Sequence, residues 1–139
     1  WWEAEAFAAG DFPAANPFAP ATPAEADVLS GGRWVGVEGA RPRPLFLEYR
    51  IRVPRTGAYT LYARKFWKHG PFRWRIDDGP WRSVGPDPTL LDDTPLRQFV
   101  GANWVAAGAA TVAAGERRVR IELTSNTGAA AFDCFCLAA

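Results

Sequence analysis

The sequence predicts an all-β domain, a two-sheet antiparallel β-sandwich of the jelly-roll type. Apolar and polar residues alternate with a period of two in several separate segments, which is typical of strands that bury one face. Turn-forming residues separate these segments at intervals of about 8 to 12 residues, as in sandwiches and barrels. No segment has a convincing amphipathic helical pattern, so the core is expected to be made of strands.

Size and composition fit a single domain spanning residues 1–139. The chain has 139 residues, of which 48% are hydrophobic, and this is enough to build one sizeable core. Charged residues make up 22%, an ordinary share for a globular chain. The 7 tryptophans can serve either the core or an exposed binding surface, and composition alone does not divide them.

The N-terminal region predicts an edge strand followed by a long surface loop. Trp2 to Phe7 is interpreted as the edge strand. The stretch from Ala8 to Pro23 is rich in Pro and Ala and contains too many prolines for a long regular helix. We therefore expect a loop that lies along the surface. Leu29 to Trp34 then turns into another strand.

The clearest strand pattern predicts a hairpin. From Leu45 to Val53 the odd positions are apolar, and the later even positions are charged. Pro54 to Gly57 has turn composition, and Ala58 to Trp67 resumes the alternation. Two consecutive alternating segments joined by such a turn are typical of a β-hairpin.

Further strands are expected along the rest of the chain, separated by a turn at Asp78–Pro80, a long loop at Gly85–Pro95 and a turn at Ala113–Glu116. They are Phe72–Asp77, Trp81–Val84, Leu96–Val105, Arg118–Leu123 and Ala131–Leu137. Trp74 alternates with two arginines, so it is expected in the core, and Trp34 is expected there as well.

Charge and hydropathy exclude two classes of partner. The formal net charge is +1, with a sequence pI of about 8.0, so nothing points to nucleic acid as the main partner. No apolar run approaches the roughly 20 residues that a membrane-spanning helix needs. The sequence therefore predicts no nucleic-acid partner and no membrane span.

Two cysteines, Cys134 and Cys136, stand two residues apart on the last predicted strand. Side chains two apart on a strand point to the same face, and a disulfide between them would be strained. A metal site would need further ligands, and the one histidine, His69, is far away in sequence. We expect free, buried thiols.

Six short motifs follow one another in a recognisable order: Glu3-Ala4-Glu5, Leu29–Gly32, Val53–Arg64, Arg75–Gly79, Ala113–Ile121 and Ala131–Leu137. Each is weak by itself, but their order and spacing cover nearly the whole chain. Together they resemble the galactose-binding-like jelly roll of carbohydrate-binding module families six and thirty-five. The resemblance implies a non-catalytic polysaccharide- or glycan-binding module of a secreted or surface protein, at an extracellular or cell-surface location.

The resemblance also implies a structural calcium ion, held in the family by the opening acidic motif and by an Asp at the start of the final strand. Carried over by position, the resemblance implies Glu3, Glu5 and Asp133 as the ligands in this chain. Glu3 and Glu5 are two apart and share a face on a strand, and calcium prefers oxygen ligands. The alternative is that these acids lie on a solvated edge.

Sugar binding in the resembling families uses loops at one end of the sandwich, with an aromatic platform and polar side chains. The family's Asn just before the final-strand Asp is missing in this chain, and Asn126 lies a few residues earlier. The other candidate glycan-binding residues are Trp67, His69, Trp81 and Trp104. The alternative for each tryptophan is a packing role.

The chain lacks the signature of an enzyme. The single His lies in a short Gly-Pro loop, and no nucleophile motif surrounds a serine. The acidic pairs Asp77-Asp78 and Asp92-Asp93 are neighbours on the chain, which suits turns better than a glycosidase acid and base. The sequence therefore predicts a non-enzyme.

Two alternatives stay open. Outward-facing arginines could form a basic face for an acidic polysaccharide, or could keep the sheet soluble; they are Arg50, Arg52, Arg73, Arg75, Arg118 and Arg120. The chain could also be a self-assembling subunit of a filament, sheath or surface layer. Copies would then meet through Trp1, Trp2 and the loop of residues 8–23, because aromatic residues are frequent interface anchors.

Overall fold

Two five-stranded antiparallel sheets form the body of the computed structural model, which describes every residue from Trp1 to Ala139. The strands are β1 (Trp2–Glu3), β2 (Ala9–Gly10), β3 (Val35–Val37), β4 (Phe46–Val53), β5 (Gly57–Lys65), β6 (Phe72–Ile76), β7 (Arg82–Val84), β8 (Pro95–Arg97), β9 (Val100–Gly101), β10 (Asn103–Val112), β11 (Gly115–Leu123) and β12 (Ala130–Ala138). The predicted all-β sandwich is confirmed.

The strand order places the first and last strands of the chain next to each other. The first sheet has the order β1-β12-β5-β10, and β3 also pairs with β12. The second sheet has the order β2-β4-β11-β6-β7. A separate two-stranded sheet, β8-β9, lies outside both. The first and last strands are therefore hydrogen-bonded neighbours.

The core lies between the inward faces of the two sheets. Tyr49, Leu61, Trp74 and Phe132 are among its fully buried side chains. The predicted core positions of Trp74 and Trp34 are confirmed, because Trp74 is fully buried and Trp34 is 5% exposed. Trp34 belongs to a second, smaller apolar cluster under the loops rather than to the main core.

Two bulges break the alternation of the first sheet. In β12 the register shifts between Phe132 and Cys134, and in β10 it shifts between Ala106 and Gly108. An extra residue in one strand re-aims the side chains around it. The carbonyl of the extra residue in β10, Ala107, accepts a hydrogen bond from the buried Trp74 indole at 2.7 Å. This bond joins the two sheets at the bulge.

One short helix was not predicted. The helix α1 spans Pro23–Val28, and a 3-10 turn follows at Ser30–Gly32. Thr22 caps the helix by accepting a hydrogen bond from the Glu25 backbone amide at 3.2 Å, and Pro23 stands in the first turn. No helix in the structure has the length and apolarity needed to cross a membrane.

Two predicted strands are wrong in extent. Only Trp2–Glu3 of the predicted N-terminal strand pairs with a neighbour, because a turn begins at Ala4. The segment predicted as one strand, Leu96–Val105, is instead the hairpin β8-β9 followed by the start of β10. Within the loop predicted at residues 8–23, a short strand, β2, adds to the edge of β4.

Candidate functional site

An open pocket lies at the end of the sandwich where β5 ends. Its volume is about 350 Å³, within the range of small-molecule sites. One wall is the loop of residues 66–70 that follows β5, hereafter the aromatic loop. The other wall is the β8-β9 hairpin with the segment before it. The fold thus brings together two loops that are about 30 residues apart in sequence.

The aromatic loop places two predicted residues side by side. Trp67 is 46% exposed, and its ring centroid lies 5.4 Å from that of His69. His69 also packs on the buried Phe66, with ring centroids 4.5 Å apart. Trp67 has φ of +43°, a left-handed conformation that costs a non-glycine residue about 1 to 3 kcal/mol. The loop must therefore be held by other contacts.

Those contacts come from a buried lysine. Lys65 is 1% exposed, and its Nζ donates hydrogen bonds to the carbonyl oxygens of Trp67, at 2.9 Å, and of His69. Burial lowers the pKa of Lys65 to about 7. Burial also lowers the pKa of His69, and the nearby positive charge of Lys65 adds to this effect. His69 therefore offers a neutral ring to the pocket at neutral pH.

The opposite wall carries an exposed aromatic ring that the sequence analysis missed. Phe99 is 87% exposed at the tip of the β8-β9 hairpin and has φ of +66°. The hairpin is anchored to α1, because Arg97 forms an ion pair with Glu25 and also donates to the Ala19 carbonyl. Arg97 holds the pKa of the Glu25 carboxyl below its ordinary value.

Polar groups supplement the two rings. Asp93 and Asn103 line the pocket together with His69. Asn103 is 1% exposed, and its side-chain amide donates to the Asp92 carbonyl at 2.6 Å, which fixes its orientation. A carboxylate, an amide and a neutral imidazole between exposed rings can accept and donate hydrogen bonds to a hydroxylated ligand.

The other predicted glycan-binding residues lie elsewhere. Trp81 is on the outer face of the second sheet, where the guanidinium groups of Arg73 and Arg75 stack on its ring at 3.9 and 4.5 Å. Trp104 is on the outer face of the first sheet and packs edge-on against Trp1, with centroids 6.2 Å apart. Neither side chain lines the pocket.

Asn126 is exposed in the loop between β11 and β12, whose following residues pass beside the aromatic loop. Its carbonyl accepts a hydrogen bond from the Arg41 amide at 2.9 Å. The Arg41 guanidinium donates to the carbonyls of Ser125, Thr127 and Gly128. Arg41 thus fixes this loop, while the Asn126 side chain is not among those that line the pocket.

Most of the arginines on the outer face of the second sheet are neutralised. Ion pairs join Arg50 to Glu116, Arg73 to Glu122, Arg118 to Glu48 and Asp78, and Arg120 to Glu48 and Glu122. Arg52 and Arg75 have no ion pair. The alternating charges favour a solvated sheet face over a continuous basic surface.

A cluster of carboxylates joins the first strand, the 3-10 turn and the last strand. Asp133, which is fully buried, accepts hydrogen bonds from the Ser30 amide at 3.0 Å and from Arg64 at 2.9 Å. Ser30 Oγ donates to Glu3. A Cβ placed on Gly31 would lie 3.5 Å from Glu5 Oε1 and 3.9 Å from Glu3 Oε1. The three predicted acids therefore surround one turn.

Arginines compensate only part of the negative charge of this cluster, since Arg64 pairs with Asp133 at 2.9 Å and Arg33 with Glu5 at 3.5 Å. Glu3 Oε2 and Glu5 Oε2 are buried and have no hydrogen-bond partner. Burial raises the pKa of Glu5 and of Asp133, and the charge of Glu3 raises both further. No three His, Cys, Asp or Glu side chains are close enough together to hold a metal by themselves. An ion here would need backbone carbonyl or water ligands in addition.

Both cysteines are free thiols, as predicted. Cys134 is fully buried beside Asp133, and burial raises its pKa well above the ordinary value. Cys136 is only half-buried and lies in an apolar groove with Trp1 and Trp104. The prediction of buried thiols is therefore right for Cys134 and too strong for Cys136.

Three solved structures have the same fold at low sequence identity. The β-(1,4)-mannanase GH26-CBM35 of Podospora anserina matches with a TM-score of 0.62 and 17% identity, over 99% of this chain and 26% of that one. A CBM35 from Cellvibrio japonicus Abf62 matches with a TM-score of 0.61 and 14% identity, over 96% and 87%. The exo-β-1,3-galactanase Pc1,3Gal43A of Phanerochaete chrysosporium, solved with galactose, matches at 0.59 and 17%, over 98% and 28%.

The chain thus spans about a quarter of the mannanase and of the galactanase but most of the CBM35 structure. No family model matches the sequence, and no curated protein does. The structural likeness supports the jelly-roll fold that the motif order predicted.

Proposed function

We propose that this chain is a non-catalytic glycan-binding module whose site is the pocket between the aromatic loop and the β8-β9 hairpin. The observation that carries the proposal is the pair of exposed rings, Trp67 and Phe99, that line one open pocket. Pyranose rings have apolar faces that stack on aromatic side chains and a rim of hydroxyls that bind polar groups. Large exposed apolar side chains in a concave site usually mark binding.

The fold comparisons support the same proposal. Each of the three similar structures is named as a carbohydrate-binding module or as an enzyme that acts on a polysaccharide. A module of this kind acts at the cell surface or outside the cell, where polysaccharides are found. None of these three structures is a filament or surface-layer protein, so the alternative of a self-assembling subunit gains no support from them.

The distribution of acids favours binding over catalysis. Asp77 and Asp78 form ion pairs with Arg117, at 3.1 Å, and with Arg118, at 2.8 Å. Asp92 accepts a hydrogen bond from the Trp104 amide at 2.6 Å. The acids considered as a glycosidase pair are thus largely occupied by structural contacts, and only Asp93 lines the pocket.

Replacing Trp67 with alanine is expected to weaken glycan binding by about 30-fold or more, because a central aromatic anchor contributes about 2 kcal/mol. The measurement is isothermal titration calorimetry or affinity electrophoresis with soluble β-1,4-mannan and β-1,3-galactan, after a glycan-array screen. The matched control is Trp81→Ala, which removes a tryptophan from the outer sheet face and should change the affinity less than twofold. Equal affinities of Trp67→Ala and the unmodified protein would contradict the proposed site.

We also propose that Glu3, Glu5 and Asp133 hold a structural calcium ion. Two buried carboxylate oxygens without partners and the raised pKa of two of the acids support this, because a divalent cation would compensate the charge. When bound, the ion would supply charge compensation and no chemistry. It would join the first strand to the last strand. Without the ion, the N-terminal strand β1 pairs with β12 over only two residues.

Millimolar calcium is expected to raise the thermal unfolding midpoint by roughly 6 °C. This shift corresponds to about 2 kcal/mol of stabilisation, the value expected when the calcium concentration is some thirty times the dissociation constant. Differential scanning calorimetry in calcium, in magnesium and in chelator measures the shift. The double variant Glu3→Gln, Glu5→Gln should lose the response. If calcium shifts the midpoint of the unmodified protein no more than magnesium does, the three acids only stabilise the turn through hydrogen bonds.

A further inference from the structure

Lys65 is the most unusual buried group outside the carboxylate cluster. Lys65 is 1% exposed, yet no aspartate or glutamate lies within ion-pair distance of its Nζ. Its hydrogen-bond partners are two backbone carbonyls of the aromatic loop, those of Trp67 and His69. A buried amino group without an acidic partner is costly, so such a residue needs a specific reason.

The loop closes around this amino group. Phe66 at its start donates its amide to the Ala131 carbonyl at 3.0 Å, and the His69 amide donates to the Phe66 carbonyl at 3.0 Å. No backbone amide donates to the carbonyl of Trp67 or of His69. Both carbonyls instead turn inward to one Nζ, and Trp67 has a left-handed φ of +43°. The loop and the lysine therefore depend on each other.

The same left-handed conformation accompanies the outward position of the Trp67 ring. The backbone at Trp67 turns its carbonyl toward Lys65, while the side chain is 46% exposed at the pocket. If the carbonyl were released, the strained φ would have no compensation, and the chain could return to an ordinary extended or helical conformation. The ring would then leave its place beside His69.

We propose that Lys65 is a positioning residue for the glycan site: its buried amino group holds the aromatic loop in the conformation that presents Trp67 and His69 to the pocket. That the ligand is a glycan rests on the proposed function. That Lys65 holds the loop rests on the geometry alone. A site that is ordered before the ligand arrives loses less conformational entropy on binding. Lys65 thus contributes to affinity without touching the glycan.

The test compares Lys65→Met with Lys68→Met. Methionine keeps an apolar stem of similar length in the buried site but provides no donor. Lys68 lies on the same loop, is partly exposed, pairs with Asp87 and lies over the Trp67 ring at 5.5 Å, but donates to neither loop carbonyl, so its loss is the control for loop exchange. Three quantities are measured: amide hydrogen exchange of residues 66–70, affinity for β-1,4-mannan and β-1,3-galactan, and midpoint of urea unfolding.

For Lys65→Met we expect at least tenfold faster exchange of the His69 amide and at least tenfold weaker glycan binding, while the sandwich stays folded. Lys68→Met should change the exchange of the His69 amide less than twofold. Unchanged exchange and unchanged affinity in a folded Lys65→Met protein would overturn the proposal. If that variant does not fold, the same exchange is measured in Lys65→Gln, whose shorter neutral side chain replaces the amino group; faster exchange than in the unmodified protein supports the proposal, and unchanged exchange overturns it.

The two proposals can fail separately. If the unmodified protein binds no glycan on an array, the proposed function fails, and the exchange of residues 66–70 in Lys65→Met still decides whether the lysine holds the loop. If the unmodified protein binds glycan and Lys65→Met binds equally well with equal exchange, the function stands and the role of Lys65 is refuted.

Discussion

Replacing Arg64 with methionine should lower the free energy of unfolding by about 3 to 5 kcal/mol, because it leaves the buried carboxylate of Asp133 without a cation. The Asp133 side chain is fully inaccessible, and that of Arg64 is 13% exposed. Arg64 also donates to the Val28 carbonyl at 2.7 Å, so the variant loses the tie between β5 and the end of α1. Urea unfolding at pH 7 in chelator measures the loss.

The pH provides an internal check on this result. Burial already raises the pKa of Asp133 in spite of Arg64, so without the guanidinium the carboxyl should take up a proton readily. The loss of stability in Arg64→Met should therefore be smaller at pH 5 than at pH 7. Arg50→Met is the matched surface control: both partners of the Arg50–Glu116 pair are more than 60% exposed, and its loss should cost less than about 1 kcal/mol. If Arg64→Met also lowered the free energy of unfolding by less than about 1 kcal/mol, the buried Arg64–Asp133 ion pair would be refuted.

The stability of the unmodified protein should rise with pH across the neutral range because of Lys65. In the folded state its pKa is about 7, against an ordinary value of 10.5 in an exposed lysine. Between these values the unfolded chain holds a proton that the folded chain lacks, so raising the pH favours the folded state. Below pH 7 both states are protonated, and this contribution is absent.

The expected size is about 3 kcal/mol between roughly pH 6 and pH 9.5, obtained by applying the linkage relation to the two pKa values. Urea unfolding at several pH values gives the curve, and Lys65→Met gives the reference. Taking the difference between the two proteins cancels the titration of groups that Lys65 does not affect, whereas that of His69, which the charge of Lys65 shifts, remains in the difference. Parallel curves for both proteins would mean that Lys65 is solvated in the folded state.

The strand pattern made the fold predictable because both sheets keep one buried face over most of their length. The alternation in β4, β5 and β6 identifies the inward residues, and Trp74 lies where its neighbours predict. The short helix could also have been found. Thr22-Pro23-Ala24-Glu25 is a capping box with proline in the first turn, and Thr22 and Glu25 do bond to each other.

The bulge in β12 could not be deduced from alternation. A regular strand would place Phe132 and Cys134 on one face and Phe135 on the other. The extra residue, Asp133, instead lets Phe132 and Phe135 both enter the core, with ring centroids 5.6 Å apart. The carboxylate then meets Arg64 and Ser30. The apolar strand with one acid was visible in the sequence, but the change of face was not.

The pocket was only half predictable. The Gly-Pro loop after β5 indicated that Trp67 and His69 are near a chain reversal, and the structure brings them together. Phe99 was missed because Leu96–Val105 has the apolar content of a single strand, whereas its hairpin turns at a residue with left-handed φ. Trp81 and Trp104 were candidates by residue type alone, and their neighbours on the sheet faces separate them from the pocket.

The side-by-side arrangement of the first and last strands determines how the protein faces its surroundings when it is attached to something else. Trp2 pairs with Phe135, and β12 runs from Lys65, beside the pocket, to Thr60 at the far end of β5. The C-terminus therefore emerges at the pole opposite the pocket, whereas the N-terminus lies beside the middle of β5. A tether fixed to the C-terminal end, whether a surface, a bead or a neighbouring polypeptide, leaves the pocket pointing away from its anchor. The rings of Trp67 and Phe99 then lie at the leading tip.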